Sequence, residues 1–397
     1  MCSTISKRML GLTQKNSAVR EMFEEGNRLA KLYGRENVYD FSIGNPYFPA
    51  PERVSSAIHE VLENEAVNYV HGYMPNAGFP DVRQAVAESL NKRFETSYSS
   101  ANVIMTVGAA GGLNCALQTL LDPDDEVICF APFFLEYGNY IANHGGRLVI
   151  VPAGASDFQP DAEALRKAIS PKTKALIINS PNNPTGVIYS EETIKKLAAV
   201  LEEKQREYSH PIFIISDEPY RELSYDGAVV PWLPSFYRNT IVGYSWSKSL
   251  SLPGERIGYL LIPSEVEDFE LVFSAASISN RILGFVNAPS LIQLAVAKCL
   301  DERTDIASYD TNRKLLYNGL TALGFDCVYP QGTFYLWMKT PCDDKEFAQL
   351  AKKYNILVVP GASFACPGYV RIAYCVGSDT IRGSLPGFEK LAKELGL

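Results

Sequence analysis

The sequence predicts an α/β fold: a large domain on a mainly parallel seven-stranded sheet flanked by helices, with a smaller α+β domain. Between Val103 and Pro263, seven short apolar runs alternate with helical stretches, the pattern of a parallel sheet covered on both faces. After about residue 306 the order changes to a helix, two short strands, a helix and two more strands. The length of 397 residues has room for two or three domains of ~100–200 residues each.

Ser17 is placed to cap a first long helix that ends near Gly34. FSIGNPYFPAP (Phe41–Pro51) is rich in Gly and Pro and reads as loop. The seven runs are NVIMTV, EVICF, RLVIVP, ALIINS, IFIIS, TIVGYS and IGYLLIP, with helices expected over GGLNCALQTLL, near Glu136–His144 and over Glu191–Tyr208. Further on, a helix around Thr311–Leu323 precedes DCVYP and TFYLWM. A helix near Asp344–Tyr354 then precedes ILVVP and YVRIAYC. Pro386 is expected to kink or split the final helix, because proline removes a donor and clashes with the preceding turn. Ligands on parallel sheets sit at the carboxyl ends of strands, so the chemistry is sought just after the apolar runs.

Composition narrows the function. Thirty-seven Lys+Arg stand against 45 Asp+Glu, a net charge of −8, which argues against nucleic acid and against a polybasic membrane-surface protein. No apolar run approaches the ~18 residues of a spanning helix, and the N-terminal stretch has no apolar leader core. Eight scattered cysteines, none in a CxxC pair, read as reduced thiols of a cytoplasmic protein. Four histidines without ligand spacing give no metal site. A cytoplasmic enzyme or a binding protein remains.

Four segments carry chemistry. In YSWSKSLSLPGERIGY (Tyr244–Tyr259), Ser245, Ser247 and Lys248 cluster, with Arg256 downstream. A polar loop with a solvated lysine is the plainer alternative. The sharper one is a Schiff-base lysine beside a hydroxyl and guanidinium phosphate clamp. SPNNPTGVIYS (Ser180–Ser190) is a tight turn rich in amides, and a strand-to-helix turn explains its Pro and Gly but not the amides. SDEPYRELSYDG (Ser216–Gly227) puts Asp217 at the end of an apolar run, where capping a following helix is the commoner role. Tyr220 sits three residues on, able to share a face with it. TVGAAGGLN (Thr106–Asn114) offers small residues at a helix N-terminus, suited to an anion, without the glycine spacing of dinucleotide or triphosphate loops. Together these ask for one ligand with a phosphate, a carbonyl and a ring: pyridoxal 5′-phosphate.

From GNPYFPAP to YVRIAY, with NPTG, SDEPY, S-x-SK plus its downstream Arg, and VRIA in order, the chain resembles the fold-type I pyridoxal-phosphate aminotransferases of class I/II. The resemblance implies a large cofactor-binding domain over 48–305 and a small domain from 1–47 and 306–397. It implies that Lys248 forms the internal aldimine and then moves the proton from Cα to C4′. Asp217 pairs with the pyridine nitrogen and keeps it protonated, and Tyr220 and Asn183 hydrogen-bond the ring O3′. Ser245, Ser247 and Arg256, with the backbone of Gly108, Ala109 and Ala110, hold the phosphate. Phe134 stacks on the ring, where a core role would otherwise be preferred. Arg371 takes the substrate α-carboxylate, assisted by Asn183 and Gly44. Tyr73 reaches the neighbouring subunit's phosphate, which makes the enzyme a homodimer with shared sites.

The implied activity is ping-pong transfer of an amino group between an L-amino acid and a 2-oxo acid. The same scaffold also supports β-lyases, decarboxylases and cyclases. A non-catalytic regulator would need a DNA-binding segment, and no basic or helix-turn-helix stretch precedes the domain. A nicotinamide dehydrogenase lacks its glycine motif. Substrate choice stays open: Arg281 is the candidate for a distal carboxylate, and Tyr47, Phe48 and Tyr335 for an apolar pocket. The total charge thus conceals a few buried guanidiniums, Arg256, Arg371 and Arg281.

Overall fold

The computed structural model describes residues 4–13, 18–152, 154 and 157–397, so the Ser17 cap lies outside the described residues. The chain divides into two compact units. The larger is Pro46–Ala307 with Gln331–Thr333; the smaller is the chain up to Asn45, with Ser308–Pro330 and Phe334–Leu397. In chain order the strands are β1 (Tyr39–Asp40), β2 (Val103–Thr106), β3 (Glu126–Phe130), β4 (Arg147–Val151), β5 (Thr173–Asn179), β6 (Phe213–Asp217), β7 (Thr240–Ser245), β8 (Gly258–Leu261), β9 (Cys327–Val328), β10 (Tyr335–Lys339), β11 (Ile356–Leu357), β12 (Val359–Pro360) and β13 (Tyr369–Ala373).

The larger unit holds the expected seven-stranded sheet, in the order β2-β8-β7-β6-β5-β3-β4. Pairs β7/β6, β6/β5, β5/β3 and β3/β4 are parallel. Strand β8 runs antiparallel to both β2 and β7, so β2 points the same way as the parallel set. The central strands are buried along their whole length, which is why they read as unbroken apolar runs rather than alternating ones. The helix Glu191–Tyr208 illustrates the covering layer. Ser190 caps it by accepting from Thr193 N, and Ile194, Leu197, Ala198 and Leu201 form its buried stripe.

In the smaller unit β12-β13-β10-β9 form an antiparallel sheet, and β1 pairs with β11 in parallel. Asp343 caps the helix Asp344–Lys352 by accepting from Lys345 N and Glu346 N. The final helix, Ser378–Leu395, continues through Pro386, so the proline does not split it. Its buried face of Ile381, Phe388 and Leu391 supplies ~1.5–3 kcal/mol per side chain. That outweighs the ~3 kcal/mol of one interior proline. Among the described residues no helix is long and apolar enough to cross a membrane.

Candidate active site

The sheet topology gathers most of the predicted residues of the larger unit at one edge. In β5, β6 and β7, Asn179 is in register with Asp217, and Asp217 with Gly243. The loop with Asn183, the Asp217 carboxyl, and the Ser245–Lys248 turn therefore leave neighbouring strand ends ~4.8 Å apart. Because β8 runs the other way, Gly258 at its start pairs with Ser245 on one side and Thr106 on the other. Arg256, two residues before Gly258, and Gly108, two residues after Thr106, are delivered to the same edge.

Asp217 is buried and does not cap a helix, because a turn containing Pro219 follows it. Its backbone carbonyl accepts from Asn179 Nδ2 at 2.8 Å, and Asn179 Oδ1 accepts from Asn183 N at 2.7 Å. One amide thus locks the Asn183 turn to the Asp217 strand end. Asp217 Oδ2 accepts from Tyr137 Oη at 2.5 Å, whereas Oδ1 is buried with no hydrogen-bond partner. Burial pushes the carboxyl up to about 7, against lowering by Tyr137, and the nearby Glu218 adds to the rise. A buried acceptor left this way is a receptor for a cationic donor. Glu218 is not that donor's partner, since it accepts from Ser216 Oγ and pairs with Arg221. Asn183 and Tyr220 are buried at the same strand ends.

The segment YSWSKS is not a loop: Trp246–Ser249 forms one helical turn after β7, with Ser245 and Ser247 buried and Lys248 half-buried. Across the sheet edge, Gly108 opens the helix Gly108–Leu120 with a left-handed φ of 68°. A Cβ there would stand 2.8 Å from an Arg256 guanidinium nitrogen. The helix start, with Ala109 and Ala110 half-buried next to it, and the guanidinium form one cradle for an anion. Arg256 itself has a left-handed backbone, φ 50°, and donates to Pro253 O at 3.0 Å. It is exposed, as is Arg281. The expectation of buried guanidiniums therefore holds for Arg371 alone, because Arg256 leaves the sheet on a surface turn and Arg281 ends a surface helix.

Phe134 is half-buried beyond β3, with its ring edge-on to Tyr137 at 5.6 Å and 85°. Tyr73 is 96% exposed. The segment carrying it is anchored from beneath: Asn280 and Asn287 donate to Asn76 O, and Ser290 donates to Val70 O.

In the smaller unit Arg371 is buried on β13 and donates to Ser42 O at 2.7 Å. Its guanidinium lies 4.4 Å from the Tyr335 ring and 4.9 Å from that of Phe364. Gly44 closes this arrangement, since a Cβ there would stand 1.8 Å from Tyr335 Oη. Two rings and one carbonyl fix a planar cation, a group whose fork of donors matches the geometry of a carboxylate.

Sequence inspection missed Tyr137, Asn179 and Phe364. Only Tyr137 left a usable signal, standing one helical turn after Phe134.

The family model for aminotransferases of class I and II matches residues 36–382. A probable aspartate/prephenate aminotransferase from Thermus aquaticus is 33% identical over 96% of this chain and 99% of its own. The crystal structure of an aminotransferase from Eubacterium rectale superposes with a TM-score of 0.97 at 46% identity, covering 100% of both chains. That of the Thermus thermophilus aspartate aminotransferase with maleate gives 0.85 at 30% identity, covering 98% of this chain and 100% of the other. A matching sheet, a match along nearly the whole chain, and a carboxylate with one unpartnered oxygen beside a lysine turn agree: the chain belongs to the aminotransferase class I and II family and is an aminotransferase.

Proposed function

We propose that this chain binds pyridoxal 5′-phosphate through Lys248 and transfers amino groups between an L-amino acid and a 2-oxo acid in two alternating half-reactions. The observation that carries this is the juxtaposition of Asp217, with its unpartnered buried oxygen, and the Lys248 turn on adjacent strand ends. The family is known to use this cofactor, and the residues fit it. Asp217 Oδ1 suits a protonated ring nitrogen, the Gly108–Arg256 cradle with Ser245 and Ser247 suits a phosphate, and Asn183 and Tyr220 suit the ring hydroxyl. Phe134 supplies an apolar face for the ring. When bound, the cofactor supplies an aldehyde for amine exchange and a cationic ring that takes up the electron pair left by Cα–H cleavage.

The rest is the work of the chain. Arg371 holds the α-carboxylate and so fixes which bond of Cα stands ready to break. Lys248 Nζ would take the proton from Cα and deliver it to C4′ rather than back to Cα, its amine free to act as a base once it no longer holds the cofactor. The Asp217 carboxylate keeps the ring nitrogen charged throughout. The names of the relatives (aspartate/prephenate) and the maleate in the Thermus thermophilus structure favour carboxylate-bearing substrates, so aspartate heads the donor panel and Arg281 is the candidate for its distal carboxylate. Supplying amino acids and 2-oxo acids pairwise to the cofactor-loaded protein is expected to yield the exchanged pair. Release of ammonia or pyruvate from a single amino acid would instead indicate a lyase.

Gly44→Ala is expected to raise the amino-acid KM about tenfold, a loss of about 1.4 kcal/mol, by forcing Tyr335 off the Arg371 guanidinium. Steady-state kinetics check this, and an unchanged KM removes Tyr335 from the carboxylate clamp.

A homodimer with Tyr73 in the partner's site is part of the same proposal, as is a cytoplasmic location. Leu271, Ile278, Ile282 and Phe285 are all exposed. Leu271, Ile278 and Ile282 follow one another at intervals of seven and four residues, along one face of the helix Phe269–Asn280 and the residues that extend it, and Phe285 stands beyond a break at Gly284 (φ 98°). An apolar stripe of that kind marks an interface. Sedimentation is expected to give twice the chain mass for the wild type and a shift toward monomer for Ile282→Glu.

A further inference from the structure

We propose that Tyr137 is a positioning residue for the cofactor ring: its hydroxyl holds Asp217 Oδ2 and its ring supports Phe134, so that Oδ1 is the oxygen presented to the ring nitrogen. This rests on the Asp217 assignment above. The Asp217 backbone is already fixed by the ladders to β5 and β7 and by the Asn179 amide. What remains free is the side-chain torsion, which decides which oxygen points where. The 2.5 Å bond from Tyr137 removes that freedom.

Two neighbouring polar side chains are committed elsewhere. Asn179 is committed to main-chain partners, and Glu218 to Ser216 and Arg221. Tyr137 is buried, on the helix Glu136–Asn143, one turn after the ring it supports. The same side chain therefore sets both the shelf under the ring and the counter-charge at its nitrogen. It is a neutral donor: burial raises its phenol well above the ordinary range, as does the neighbouring Asp217 charge. It thus stabilises the ionised carboxylate without competing as a cation.

The test compares binding of two probes to the full-length protein freed of cofactor: pyridoxal 5′-phosphate and its 1-deaza analogue, in which carbon replaces the ring nitrogen. Wild type is expected to prefer the natural compound. Tyr137→Phe is expected to weaken pyridoxal phosphate about tenfold, the scale of a lost hydrogen bond to a charged group. It is expected to weaken the analogue less than about threefold, because nothing on the analogue needs Oδ1. In a Tyr137→Phe/Asp217→Asn background, where the neutral amide needs no such donor, the added effect of the tyrosine change is expected to vanish; this pair also serves if the single variant folds poorly. Equal weakening of both probes, or of neither, overturns the proposal and leaves the Asp217 assignment standing. A wild type that binds the two probes equally overturns both.

Discussion

Lys248→Ala is expected to abolish amino transfer, lowering turnover by about 10⁴-fold or more. A positioned general base accounts for about 10²–10⁴ of that, and loss of the covalent attachment point adds to it. The wild type loaded with pyridoxal phosphate should absorb in the visible and bleach on borohydride reduction, whereas the variant should show neither property. Lys248→Arg separates charge from reactivity. It keeps a cation in the same one-turn helix, but a guanidinium stays protonated, so it is expected to be as inactive as the alanine variant. Both should fold, because the lysine is half-buried at a helix end and its neighbours Ser247 and Ser249 carry the burial there. An alanine variant that retains the visible band and turns over would place the attachment point elsewhere.

What the chain displays in sequence is what depends on local pattern. The central strands are buried on both sides, and an element buried on both sides must be apolar throughout. IFIIS and TIVGYS therefore stand out as runs, and their ends mark where Asp217 and the Ser245–Lys248 turn lie. The partners of Asp217 depend instead on tertiary packing: the spacing from Phe134 points to Tyr137 as a residue, but not to its bond with Asp217. The Tyr137–Asp217 bond spans 80 positions and the Asn179–Asp217 bond 38, and no composition or periodicity signals either. Arg256 shows the converse. Its motif is plain in sequence, but its exposure follows from the turn that β8 needs to run back antiparallel. Pro386 failed as a breaker because helix propensity is a local quantity, and the buried face of Ile381, Phe388 and Leu391 is not.

Asp217→Asn is expected to cut turnover about 10³-fold or more while stabilising the cofactor-free protein above neutral pH. The activity loss follows from an amide's inability to hold the ring nitrogen protonated, so that the electron sink is lost. The stability gain follows from linkage. Burial lifts the Asp217 carboxyl from 3.8 to about 7 in the fold. Between those values the folded state binds a proton that the unfolded state has released. Its stabilising share is therefore complete below about pH 4 and is lost as pH rises through 7. The difference, 7 − 3.8, is about three pKa steps, or about 4 kcal/mol as an upper bound. Asparagine has no such slope, so urea denaturation should show the variant close to wild type near pH 4 and more stable than it at pH 8. Pyridoxal phosphate should reverse the order at pH 8, since a cationic ring nitrogen pairs with the carboxylate and stabilises the wild type more. A stability difference that does not change between pH 4 and pH 8 would mean that Asp217 keeps its charge without the cofactor. The orphaned oxygen would then have a donor in solution, and the fit to a protonated ring would lose its main support.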